Sequence, residues 1–421
     1  MSSNNLMRFI GFITVFLLFF ASVPDGTSAE EILTWEDCLN EAKKNHPDLV
    51  SAEAKIDQAK ANKTIASSNL LPQINGDMSF RALGSDNQRS DTYSYGITGR
   101  QLLFDGFKTF YDRGAASENI RSARYDYGVT SSDIRLRLRT AFVELLKAQE
   151  LMKITEEIVR RRKQSVELVE VRYEAGREHK GSRLTAQANL AQAEFEVAQA
   201  RRNIGLAQRR LAKELGRKNL TPIRVRGDFE VEYFEREKPD FESSAEHHPL
   251  LLGLAAQREA ARLGLKSAWA DYIPQLSVDA NIGRTGSEWP PDQDEWSVGV
   301  NLSFPLFNGG RRMGEVSRNK ALLSQVQANE QSARDGIILS LESAWTKLQD
   351  AAGNVIVQKK VLEAAEERAK IAEAKYSTGL ISFDNWTIIE DDLVRSKKSF
   401  LDAQTNTLIA EANWIQAKGE Y

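Results

Sequence analysis

Apolar residues recur along this chain with two distinct periods, and the switch between them marks out its elements. Beyond Gly106 the apolar positions fall alternately four and three apart: Ile134, Leu138, Ala141, Leu145, Ala148, Met152, Thr155, Val159, Arg162, Val166, Val169 and Tyr173. This is the a/d seam of a coiled coil. The same spacing returns at Ile337, Leu341, Ala344, Leu348, Ala351, Val355, Gln358, Leu362, Ala365, Ala369, Ala372 and Tyr376. No proline interrupts Lys108 to Gly176 or Arg311 to Gly379. Each stretch predicts a helix of roughly 70 residues, about 100 Å long at 1.5 Å per residue. The segments after them carry seams of their own, alternating small with large. These are Ala186, Leu190, Ala193, Val197, Ala200, Ile204, Ala207 and Leu211, then Ile389, Leu393, Ser396, Phe400, Ala403, Thr407, Ala410 and Trp414. Small positions let backbones approach and large ones fill the layers between, so each pair of segments predicts an antiparallel hairpin.

Ahead of each hairpin the period drops to two. Ile74, Met78 and Phe80 oppose Gln73, Asn75, Asp77 and Ser79, and Tyr93, Tyr95, Ile97 and Leu103 share one side of the next run. Leu276, Val278, Ala280 and Ile282 oppose Gln275, Ser277, Asp279 and Asn281. Trp296, Val298, Val300, Leu302 and Phe304 oppose Ser297, Gly299, Asn301 and Ser303. Such runs, with aromatics near an end, fit strands with one apolar and one polar face. The alternative is a soluble sheet covering a core. The helices spend their apolar faces on one another, so no segment remains for these strands to cover. Strands apolar toward lipid and polar toward water are the reading that accounts for them.

The two halves are copies. His46-Pro47-Asp48-Leu49 returns as His248-Pro249-Leu250-Leu251, and Leu71-Pro72-Gln73-Ile74 as Ile273-Pro274-Gln275-Leu276. Leu103-Phe104-Asp105-Gly106 returns as Leu306-Phe307-Asn308-Gly309, and Tyr173-Glu174-Ala175-Gly176 as Tyr376-Ser377-Thr378-Gly379. A near-constant offset over such a length marks a duplicated unit. The organisation expected is a first repeat over 30–216, with strands 72–83 and 92–104 and a helical hairpin 107–215. A linking segment 217–245 comes next. The second repeat covers 246–421, with strands 274–285 and 295–306 and a hairpin 310–419.

The hairpin tips differ. Tip one is Gly176, Arg177, Glu178, His179, Lys180, Gly181 and Ser182, and tip two is Gly379, Leu380, Ile381 and Ser382. In each a glycine comes after the last seam tyrosine, as at a helix end needing a left-handed residue. Ser182 and Ser382 are placed to cap the returning helices. Tip one is charged and tip two apolar, and exposed apolar residues at a hairpin end mark a docking surface.

Residues 1–29 read as a secretory signal peptide: Arg8, the apolar run Phe9 to Ala21, then Thr27-Ser28-Ala29. Cys38 is the only cysteine. It lies well past that run and lacks the small residues of a lipoprotein site, so it is expected as a small helix residue and not a lipid anchor. A net charge of −3 excludes a polyanion-binding field, and nucleic acid is not an expected partner. The four histidines, His46, His179, His247 and His248, sit at helix starts and a tip. No catalytic triad order, phosphate loop or metal cluster accompanies them, so neither enzyme activity nor any cofactor or metal site is expected.

Four strands cannot close a barrel, and an open edge in lipid leaves backbone groups unpaired at several kcal/mol each. Other copies must complete the sheet. The fold class expected is therefore mainly α with a small antiparallel β part. It consists of a duplicated unit of long coiled-coil helices, assembling into an α-barrel beneath a shared transmembrane β-barrel.

These features together resemble the outer-membrane efflux protein family, the TolC-like channels. The duplicated unit, the His-Pro helix openings, the Pro-Gln strand starts, the Leu-Phe-Asp-Gly and Leu-Phe-Asn-Gly strand ends and the Tyr-x-x-Gly tips carry the resemblance over nearly the whole mature chain. The resemblance implies a homotrimer with a twelve-stranded barrel in the bacterial outer membrane and a helical tunnel through the periplasm. It implies partnership with a periplasmic adaptor and, through it, an inner-membrane pump, with residues 217–245 and the terminal region forming a belt. Tyr376 matches a gate tyrosine of the family. The family's gate arginine falls at Ile381, and its lumenal aspartates fall at Asn385 and Ile388, so those parts are missing. Asp384 and Asp391, with Glu390 and Asp392 nearby, are the candidates to supply negative charge at the gate in another register; the alternative, which their type favours, is a solvated outer face. The function implied is a passive exit duct of a tripartite efflux or secretion system. The alternative is a periplasmic coiled-coil scaffold or adaptor that never enters lipid.

Overall fold

A computed structural model of the chain describes residues 31–85, 88–219, 222–229 and 238–420. The expected signal peptide, residues 1–29, lies outside the described residues. The chain opens with a short strand β1 (Glu31–Leu33) and helices α1 (Trp35–Asn45) and α2 (Pro47–Ser68). Next come strands β2 (Gln73–Ser85) and β3 (Gln88–Phe104), then helices α3 (Lys108–Glu174) and α4 (Lys180–Glu214). A second short strand β4 (Ile223–Val225) pairs in parallel with β1, and helix α5 (Phe241–Glu246) leads into the second repeat. That repeat comprises α6 (Pro249–Ala270), β5 (Gln275–Gly286), β6 (Gln293–Ser303), α7 (Arg311–Ser377) and α8 (Phe383–Ala417).

The duplication is kept to the residue in the helices. Both α3 and α7 run 67 residues, both α4 and α8 run 35, and both α2 and α6 run 22. The heptad seams become hairpin interfaces. Alanines 186, 193, 200 and 207, one per heptad of α4, are all buried, as are Ile134, Leu138 and Leu145 of α3. In the second hairpin Leu341, Leu348, Ala365, Ala369 and Ala372 of α7 are buried with Leu393, Ala403 and Trp414 of α8.

Each long helix is flanked by two shorter ones stacked end to end. After α4, Gly216 adopts φ +76° and lies against the Asn45–His46 peptide so closely that any Cβ would collide with it. The earlier helix α2 therefore continues the helical column where α4 stops. After α8, Gly419 (φ +73°) abuts His248 and Pro249 in the same way, so the earlier helix α6 stacks end to end on α8. Glycine at these two points supplies a left-handed turn and the space for the junction. The proline opening α2 and α6 fits a first helical turn, where its missing N–H is not needed. In the half nearer the strands α3 packs against α2 and α6, and in the far half against α4 and α8. α7 packs against α6 and α8. Thus α2 and α4 form one edge of the helical layer and α7 the other.

The largest core cluster lies at the middle of α3, where Cys38, Leu138, Phe142, Leu146, Leu211, Ile223 and Val225 converge. Cys38 is fully buried in α1, and burial, with Glu41 and Asp37 nearby, pushes its thiol up to about 12.

Strands β2, β3, β5 and β6 form an antiparallel sheet in that order. Their bounds differ from the expected ones by up to four residues. β3 starts at Gln88, extending the hairpin toward its turn, and β6 ends at Ser303, so Phe304 lies just past it. Pro305, which has no N–H to pair, is the next residue. One register shift separates Leu102 from Phe104: Leu102 pairs with Ser277 and Phe104 with Leu276. Leu103 is the extra residue of a β-bulge, so Phe104 and not Leu103 continues the apolar face.

Candidate functional site

Two regions carry the chemistry: the shared tip of the hairpins and the two faces of the sheet. At the tip, Gly176 (φ +69°) and Gly379 (φ +82°) end α3 and α7. Arg177 N–H donates to Arg172 O and Leu380 N–H to Lys375 O, both at 2.8 Å, closing the orphan carbonyls of each last turn. Ser382 caps α8 as expected, its Oγ accepting from Asn385 N–H at 3.3 Å. Ser182 does not cap α4. That helix begins two residues earlier, and His179 caps it, with Nδ1 accepting from Ser182 N–H at 3.2 Å. Ser182 is buried inside the first turn.

Tyr376 is fully buried here. Its ring stacks on Trp386 at 4.4 Å and 16°, and Phe383 approaches at 6.2 Å. On its other side the Arg172 guanidinium sits 4.7 Å from the ring centroid and donates from Nη1 to Tyr376 O at 2.7 Å. The Tyr376 hydroxyl donates to Glu178 Oε2 at 2.9 Å. Burial works to raise the Glu178 carboxyl, but hydrogen bonds from Ser182, Tyr376 and the His179 N–H hold it below the usual range. Burial and the adjoining Glu178 carboxylate push the Tyr376 phenol well up, so it stays a donor. Arg172 and Trp386 carry no signal of this role in the sequence. They come from other helices, and no local spacing links them to Tyr376.

Beyond the tip, α3 and α8 meet through charge. Arg161 donates to both oxygens of buried Glu390 at 3.1 and 2.7 Å, and Arg162 pairs with Asp391. Further on the polarity reverses once, where Lys397 of α8 reaches Glu157 of α3 at 2.7 Å, and then returns, Lys147 of α3 reaching Asp402 of α8 at 2.6 Å. Asp391 is thus neutralised by α3. Asp384 is exposed in the first turn of α8. Leu380 is strongly exposed at tip two, and Arg177, His179 and Lys180 lie at the surface of tip one.

In the sheet, directly paired residues share a face. The register pairs Ile74 with Gly99, Met78 with Tyr95 and Phe80 with Tyr93, then Ile97 with Ile282. It pairs Leu276 with Leu302, Val278 with Val300, Ala280 with Val298 and Ile282 with Trp296. One continuous face therefore holds these apolar side chains, most of them exposed in the isolated protomer. The opposite face carries Asp77, Thr98, Arg100, Asp279 and Asn281, with Thr98 Oγ1 donating to Asp77 at 2.8 Å and Arg100 3.5 Å from Asp279. Gly96 and Gly283 are direct partners on that polar face, and a Cβ on Gly283 would stand 2.5 Å from Tyr95 O. Glycines at such a pair let the strands bend together sharply, as a curved wall requires. Both outer strands, β2 and β6, have one edge with no strand beside it among the described residues.

Among the described residues no helix is long and apolar enough to cross a membrane. Residues 38–217 and 241–420 each match the family model described as outer membrane efflux protein. The chain is 21% identical over 392 residues to the outer membrane efflux protein BepC of Brucella suis, covering 92% of this chain and 85% of BepC. It is 23% identical over 415 residues to the outer membrane protein TolC of Vibrio cholerae, covering 94% and 92%. Among solved structures it resembles the CusC channel with a TM-score of 0.83 at 18% identity, covering 92% of both chains.

Proposed function

The chain belongs to the outer membrane efflux protein family, and from that membership we propose that it is the exit duct of a tripartite efflux or secretion system, conducting passively the substrates that an inner-membrane pump delivers. One observation carries this reading. A four-stranded sheet, apolar on one face and polar on the other, is left open at β2 and β6. In lipid such edges must be paired, and three copies bring twelve strands, enough for a water-filled bore. The residues proposed to face lipid are those on the apolar face: Ile74, Met78, Phe80, Tyr93, Tyr95, Ile97, Leu276, Val278, Ile282, Trp296, Val298, Val300 and Leu302. The helical layer supports the same assembly. Its exposed apolar residues include Leu339, Ile356 and Val357 on α7 and Leu184, Phe195 and Leu206 on α4, which are its two edges. Copies packing edge to edge would cover both sets.

The hairpin tips, about 100 Å from the sheet along α3, are proposed to receive the periplasmic adaptor, with Leu380 and Ile381 as the apolar contact and Arg177 to Lys180 as the charged one. The Tyr376–Glu178 bond is proposed as part of the closed gate, holding tip two against tip one. The seams inside each hairpin are largely apolar, whereas α3 meets α8 through ion pairs. The second hairpin can therefore move as one rod along the polar seam.

The test is reconstitution. Purified chain added to planar bilayers is expected to be trimeric and to form ion-conducting pores. A monomer that leaves the bilayer silent refutes the duct and favours a scaffold. Deleting Gly379 to Ser382 is expected to preserve trimers and abolish export, and retained export would remove the tips from adaptor docking.

A further inference from the structure

The helix cap in tip one is titratable, and it is wired to the Tyr376–Glu178 bond. His179 Nδ1 accepts from Ser182 N–H at 3.2 Å, and His179 Nε2 lies 3.1 Å from Ser182 Oγ. A ring nitrogen that accepts carries no proton, so the imidazole is neutral and Nε2 bears the hydrogen. Nε2 therefore donates to the Ser182 hydroxyl, which in turn donates to the Glu178 carboxylate. Glu178 Oε1 also accepts from His179 N–H at 3.3 Å, and Oε2 accepts from Tyr376 at 2.9 Å. One chain of bonds thus joins His179, Ser182, Glu178 and Tyr376. It leads from the surface of the first hairpin into the last turn of α7.

The place is shaped for this ring. Ser182 is buried, and a Cβ on Gly181 would stand 2.9 Å from His179 Nδ1, so the ring folds back over a glycine. Tip two has nothing comparable, because Ser382, whose hydroxyl does not titrate, caps α8. Histidine is the side chain whose charge changes between roughly pH 5 and 8. A protonated Nδ1 would meet Ser182 N–H donor to donor, at the positive end of α4. The ring must then leave the cap, and the Ser182 hydroxyl loses the bond that orients it. The charged groups around the ring are Arg177, Glu178 and Lys180 beside it in the chain, with Arg172 and Glu170 on α3 and Arg183 on α4. Arg172 Nε stands 3.9 Å from Glu178, and Arg183 pairs with Glu170 at 2.7 Å. From α7 the Tyr376 phenol stays a donor, and α8 contributes the uncharged Phe383 and Trp386 beside it.

We propose that His179 is a positioning residue of the latch: its neutral ring holds Ser182 on Glu178, and protons loosen the tip by displacing that ring. The loosened tip accepts a proton that the latched tip excludes, so acid shifts the population toward the open form. The inference rests on the duct reading and on the Tyr376–Glu178 latch, and the test separates all three.

The trimer is recorded in planar bilayers at the two ends of the histidine range, about pH 8 and about pH 5. Wild type is compared with His179→Asn, Ser182→Ala and Tyr376→Phe. The wild-type open probability is expected to rise several-fold in acid. Asparagine caps without titrating, so His179→Asn is expected to show a flat profile. Ser182→Ala keeps the backbone N–H that the cap needs and deletes the hydroxyl. It is expected to be several-fold more open than wild type at the higher pH, with a smaller rise in acid. A flat wild-type profile overturns the inference. So does a wild-type rise in His179→Asn, which would assign the protons to other groups, His46 and His248 among them, since these cap α2 and α6 in the same way. A wild-type profile in Ser182→Ala overturns the link through Ser182. Tyr376→Phe indistinguishable from wild type brings down the latch, and silent bilayers at both pH values bring down the duct, each taking the inference with it. Ser182→Ala leaves the ring in place, so a folding defect of His179→Asn does not remove the test.

Discussion

The hydroxyl of Tyr376 donates a 2.9 Å hydrogen bond to the carboxylate of Glu178, joining two hairpin tips across 198 residues of sequence. Tyr376→Phe keeps the ring against Trp386 and removes only this bond. A hydrogen bond to a charged group contributes about 1.5–3 kcal/mol. The substitution is expected to raise the open population of the isolated channel by about tenfold for each 1.4 kcal/mol lost. Single-channel recording in planar bilayers checks this, and an unchanged open probability removes Tyr376 from the gate.

Val298 lies on the apolar face opposite Ala280, at the centre of β6. Val298→Arg is expected to lower barrel stability in lipid by about 2–4 kcal/mol, the usual penalty at mid-depth. Urea titration of the vesicle-inserted protein measures it. A penalty near zero places Val298 in water.

Gly283→Ala brings a methyl group to 2.5 Å from Tyr95 O, and the obstacle is backbone that cannot swing aside. Forcing β3 and β5 apart at this pair is expected to destabilise by about 1–3 kcal/mol. Gly299→Ala serves as the control, since nothing lies within 4 Å of its added Cβ. The yield of heat-resistant trimers is expected to fall for the first and hold for the second.

His248 caps α6, its Nδ1 accepting from Leu250 N–H at 3.2 Å, which only an unprotonated Nδ1 can do. Burial lowers its pKa below the ordinary value, with Asp133 opposing. The folded state therefore prefers the neutral ring. Its contribution is complete above the unfolded pKa of 6.5 and shrinks as acid protonates the unfolded chain first. Thermal unfolding of wild type and His248→Asn is expected to diverge as pH falls below 6.5, the wild type losing stability that asparagine, which caps without titrating, retains. Parallel pH profiles refute this.

The helices are legible in the sequence because a heptad seam states both a length and a partner face. Ala186, Ala193, Ala200 and Ala207 fall inside, as their spacing requires. The strand faces are legible for the same reason, since period two fixes which of Val298 and Gly299 is apolar-facing. The bulge at Leu103 is not, because one extra residue leaves the local composition unchanged while sending each later side chain to the other face. At the tip, Tyr376 can be named from its place before Gly379. Its partners Glu178, Arg172 and Trp386 lie on three other segments, and only the packing of α3 beside α8 brings them together. His179 displaces Ser182 as the cap because its ring nitrogen, just ahead of the helix, reaches the Ser182 N–H. A preference scale that ranks serine first does not foresee that geometry.

Because α2 stacks on α4 where Gly216 ends it, and α6 on α8 at Gly419, each 67-residue helix is matched by two separately encoded pieces. The span from bilayer to tip is thus written four times over in one polypeptide. Lengthening the tube by a single heptad in α3 alone would strand seven residues without a counterpart. Any change of reach demands concerted insertions at matching heights, and the depth of the envelope this duct can cross is correspondingly hard to alter.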